Sequence, residues 1–133
     1  MTTLPTNEVE EFGRILVRQV RDAAIDSCDR ALDPSSRDPV AKRWAAALAT
    51  GTPEEMARTV IADSVDVTIF YLLEMIDQGV LRLFCTSEEG KVVDLSEAGL
   101  GELAGWYMGS GGWRARYSEQ RFVDDFSDLG DAD

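Results

Sequence analysis

The sequence predicts a helix-dominated α+β domain, with five or six helices around a central apolar helix at about 65–78 and one small antiparallel hairpin at about 80–95. Three observations lead to this reading. Capping residues precede proline at Asp38-Pro39 and Thr52-Pro53, the run from Val65 to Ile76 is the most apolar of the chain, and a β-branched, aromatic stretch from Val80 is followed by Ser87-Glu88-Glu89-Gly90.

Asn7 and Glu10 have the spacing of a capping box, in which each side chain satisfies a backbone N–H left open by the first turn. From Val9, the positions Phe12, Leu16, Val20, Ala23, Ser27 and Ala31 recur at three and four, the period of one helical face. Pro34 ends that helix. A second helix is expected over 39–50, with Gly51 as its left-handed stop, and a third from the Thr52/Glu55 box to about Ala62. Asp63 or Ser64 is then the expected cap of the central helix, which stops before Gly79.

The segments 80–86 and 91–95 are short and rich in residues that favour strands, and the loop between them suits a hairpin. Two strands are marginal alone, so the hairpin must lean on the helices. Ser96 is the expected cap of a helix reaching Met108, and Ser118 of a last helix through Phe126. Residues 109–112 form a glycine loop, and 127–133 an acidic tail expected to fray.

The 133 residues suit a single domain, 1–133. No stretch has the make-up of a signal peptide or a membrane span, so a cytoplasmic protein is expected. Cys28 and Cys85 form no CxxC pair and read as reduced, buried thiols. The net charge is −12, with fifteen acids against five bases from residue 63 onward. Such a field repels phosphate backbones, so no nucleic-acid partner is expected, and it attracts basic surfaces. The short basic stripe of Arg14, Arg18 and Arg21 does not reverse this balance.

Histidine is absent, which excludes a Ser-His-Asp triad and every histidine-bearing zinc site. Asp63, Asp66, Glu74 and Asp77, spaced 3, 8 and 3, fall in one sector of the central helix with Phe70 between them. Carboxylates on one face suit Mg²⁺, although a solvated face has the same pattern, with Val65, Ile69, Leu72 and Ile76 on the opposite side. Glu74-Met75-Ile76-Asp77 is similar to the ExxD element of the all-helical MazG-type nucleoside-triphosphate pyrophosphatases. The preceding ExxE element fails, because Arg58 follows Glu55 by three, and no family is assigned.

Trp106, Tyr107, Trp113, Arg114, Arg116 and Tyr117 surround the glycine loop and form the candidate binding residues, together with Phe70. Trp, Tyr and Arg dominate the hot spots of protein interfaces, and loop N–H groups with arginines can also cradle an anion. The leading expectation is a non-enzymatic module of the inhibitor or immunity type that binds a basic protein. The alternative is a small ligand-binding protein or Mg²⁺-dependent enzyme for an anionic metabolite. No resident cofactor is implied, and the sequence does not disclose the oligomeric state.

Overall fold

A computed structural model describes residues 6–126, so the acidic tail 127–133 lies outside the described residues. The chain begins with one continuous helical rod. Thr6 caps it, its hydroxyl accepting from the Val9 N–H, one residue earlier than the expected Asn7. The rod consists of α1 (Asn7–Ile15), a π turn (Leu16–Arg21) and α2 (Asp22–Ala31). In the π turn the Asp22 N–H reaches back five residues to the Val17 carbonyl.

That extra residue corrects the expected apolar face. Ile15 and Val20, five apart, both pack into the core, and Ala24 follows as a buried residue. Phe12 and Leu16 are rotated outward and stay exposed. An uninterrupted α-helix would have aligned Leu16 with Val20.

Helix α3 (Pro39–Thr50) has the expected bounds, with Asp38 accepting from the Val40 N–H at 2.8 Å. Gly51 is extended (φ −99°), not left-handed as expected. Glycine is needed there for a different reason: a Cβ would stand 2.7 Å from the Ala47 carbonyl oxygen.

Both halves of the Thr52/Glu55 capping box form, and they start α4 (Pro53–Asp77), a single helix of 25 residues. The expected break near Asp63 does not occur. Asp63 and Ser64 are capping residues by type, but their side chains are directed to neighbouring helices, so they do not compete with their own backbone. Gly79 follows the helix end with φ +74°.

Strands β1 (Phe84–Thr86) and β2 (Val92–Asp94) pair antiparallel, with Cys85 opposite Val93. The first strand is shorter than expected because the Val80 and Leu81 N–H groups both donate to the Met75 carbonyl. Leu83 and Leu95 brace the hairpin against the core. Cys85 is exposed on this strand, against the expectation of a buried thiol, and Cys28 is half-buried.

The single helix expected over 96–108 is two pieces, α5 (Leu95–Ala98) and α6 (Leu103–Met108). Positive φ at Leu100 and Gly101 separates them. Asp94, not Ser96, caps α5, and the Ser96 hydroxyl donates instead to the Ile76 carbonyl. Helix α7 (Trp113–Tyr117) ends where a helix was expected to begin, at Ser118. Residues 118–126 contain no helix.

The core joins Val20, Met75, Ile76, Leu81 and Leu103, with α4 at its centre. Among the described residues, no helix is long and apolar enough to cross a membrane.

Candidate functional site

Helix α4 carries its four acids to different neighbours. Asp63 accepts from Arg43 Nη2 at 2.9 Å and from Trp44 Nε1 at 2.8 Å, both on α3. Asp66 turns toward the C-terminal helices. Glu74 accepts from the Gln78 side chain one turn later, and Asp77 accepts from the N–H groups of Leu103 and Ala104, both at 2.9 Å. The stripe is therefore not a solvated face: Asp66 is only 9% exposed, while Val65 beside it, expected in the core, stands open. Among the described residues, no three His, Cys, Asp or Glu side chains are grouped to share a cation.

The geometry at Asp66 depends on the glycine loop. At Gly112 a Cβ would come within 2.3 Å of the Trp106 carbonyl oxygen, so only glycine lets the chain fold back this tightly. That return sets Trp113 against Trp106, ring centroids 6.0 Å apart, and brings α7 over the middle of α4. Arg114 then reaches inward, where it is 8% exposed. Its Nη1 donates to Asp66 Oδ2 at 2.7 Å and its Nη2 to the Met108 carbonyl at 3.0 Å.

The Tyr107 hydroxyl donates to the other Asp66 oxygen at 2.7 Å. Burial, reinforced by this bond, raises the phenol pKa well above its ordinary value. The Arg114 guanidinium carbon lies 5.0 Å from the Phe122 ring centroid and 5.8 Å from that of Tyr107, within range of cation–π attraction. Arg114 Nε is buried without a hydrogen-bond partner.

Above this floor opens a cleft of about 580 Å³. Val65 and Ile61 of α4 form one wall, and Trp113, Tyr117 and Phe122 the other. Of the candidate binding residues, Tyr107, Trp113, Arg114 and Tyr117 thus come together at one site. Tyr117 is 71% exposed, and Arg116 stacks on its ring from outside at 5.0 Å. Trp106, 38% exposed, backs Trp113 without lining the cleft. Phe70 lies elsewhere, edge-on to Tyr71.

Sequence reasoning missed Ile61, Val65 and Phe122 as cleft residues. Ile61 and Val65 are four apart on one helix, a spacing visible in the sequence, but Phe122 becomes a wall only because the chain after Ser118 is extended.

Compared with known proteins, the chain matches no family model, no curated protein and no solved structure.

Proposed function

We propose that this chain is a non-enzymatic binding module of the inhibitor or immunity type, that its partner is a basic protein, and that the cleft over Asp66 and Arg114 is the centre of contact. The observation that carries this reading is the state of the floor. Asp66 is satisfied by Arg114 and Tyr107, and both terminal nitrogens of Arg114 are occupied, so neither group is poised to move a proton or clamp an anion. What remains open is an apolar, ring-walled recess of the kind that accepts one anchoring side chain.

The surrounding charge supports a basic partner. The chain carries −12 overall, and exposed Glu119 sits between Ser118 and Gln120 of the cleft lining. A field of this sign speeds the approach of cations, so association should slow as salt is added.

Selection from a random peptide library against the immobilised protein at low ionic strength tests the reading. The expected winners carry an aromatic or long aliphatic residue flanked by Lys or Arg, and they lose binding to Val65→Arg, which fills the cleft from an exposed position. Enrichment of acidic or uncharged peptides, or binding indifferent to Val65→Arg, overturns it.

The cleft volume also falls within the range of about 300–1,000 Å³ typical of small-molecule sites, which supports a small ligand-binding protein as the second reading. An anionic metabolite would depend there on Arg121, because Arg114 is already engaged. A Mg²⁺-dependent enzyme has less in its favour, since Asp63, Asp66 and Asp77 serve separate partners.

A further inference from the structure

Helix α1 buries none of its residues, and its chief neighbour is the π turn that continues it. A free helix of nine residues is marginal in water, since too few hydrogen bonds repay the cost of its first turn. Yet α1 is amphipathic: Val9, Phe12, Gly13 and Leu16 fall on one face, and Val9, Phe12 and Leu16 are exposed. The π turn produces this face, because it gives the inward position to Ile15 and leaves Leu16 outside.

The charges of the segment are arranged by end. Glu8, Glu10 and Glu11 occupy its first half, and Arg14 and Arg18 follow. None of these five enters an ion pair among the described residues. A helix that is acidic at one end and basic at the other complements a second copy running in the opposite direction, and repels one running in parallel.

We infer that the exposed face of α1 is the docking surface for a second copy of this chain, paired antiparallel about a two-fold axis at Phe12. In that register each Glu10 lies beside the other copy's Arg14, and each Val9 beside the other copy's Ile15. Both contacts occur twice, as an isologous interface requires. Gly13 weakens a helix, but a Cβ there would meet nothing within 4 Å, and its absence lets two backbones approach closely at the crossing. An interface of this length lies at the small end, below about 1,200 Å² in total, so the dimer forms at micromolar concentration or above and parts on dilution. The surface is separate from the cleft, and the two readings stand or fall independently.

Sedimentation velocity from micromolar to millimolar concentration tests the pairing. The expected result is a concentration-dependent rise toward twice the 14.7 kDa chain mass. Phe12→Asp should hold the protein at the single-chain mass, with an unchanged melting temperature because Phe12 is 40% exposed. Glu10→Arg and Arg14→Glu should each weaken association about tenfold by setting like charges together, and the double reversal should restore it. A single-chain mass at millimolar concentration, a dimer indifferent to Phe12→Asp, or a double reversal no tighter than its single variants would overturn the inference.

Discussion

Arg114 Nη1 donates to Asp66 Oδ2 across 2.7 Å, tying the short helix α7 to the middle of α4. Both side chains are largely withdrawn from water, and removing one member of such a pair leaves the other charged and uncompensated. Asp66→Leu or Arg114→Met alone should therefore cost about 3–5 kcal/mol in urea unfolding. The double variant should cost clearly less than their sum. Single losses under about 1 kcal/mol would place the pair in effective contact with solvent.

Tyr107 gives the protein an alkaline limit. Its phenol pKa is raised above the ordinary 10.0, first by burial and then by donation to Asp66. The folded chain therefore keeps a proton that the unfolded chain releases. The associated stability is fully present below pH 10.0 and is lost as pH rises from there through the raised value. Tyr107→Phe should be less stable at neutral pH by about 1–3 kcal/mol, having lost a hydrogen bond to a charged group. Its decline above pH 10.0 should be shallower, and an unchanged slope would show that another group sets the limit.

Asp77 caps a helix from 26 residues away, accepting from the Leu103 and Ala104 N–H groups at the start of α6. Asp77→Ala should cost about 0.5–2 kcal/mol, the ordinary effect of losing a cap. Amide exchange at Leu103 and Ala104 should accelerate before that of the α4 core. Uniform acceleration throughout the molecule would argue against a local capping role.

The π turn predicts an unusual tolerance. Deleting exposed Gln19 reduces the spacing of Ile15 and Val20 from five to four, so an ordinary α-helix keeps both facing the core. The melting temperature should not fall below that of the parent. A comparable deletion at Thr68 in α4 should lower it, because residues on one side of the cut would rotate away from their partners. Equal damage from both deletions would remove the π turn as the reason for the outward face of α1.

The helix-dominated α+β class and the hairpin were legible because they rest on local chemistry: Asp38-Pro39 and Thr52-Pro53 start helices, and Ser87 to Gly90 turns the chain. The continuity of α4 was not, since Asp63 reads as a cap until Arg43 and Trp44 are seen to claim its carboxylate. The π turn carries no composition signal of its own. Half of the cleft was visible as the aromatic and arginine cluster around the glycine loop. That Arg114 points inward was hidden, because its partner Asp66 lies 48 residues earlier on a face that pattern alone assigns to solvent.

An unbroken α4 makes the chain sensitive to insertion where it is tolerant of substitution. Adding a single residue between Asp66 and Asp77 would turn one carboxylate about 100° relative to the other. Arg114 and the start of α6 would no longer meet their acceptors together, so drift in this segment is expected to change its letters while conserving their number.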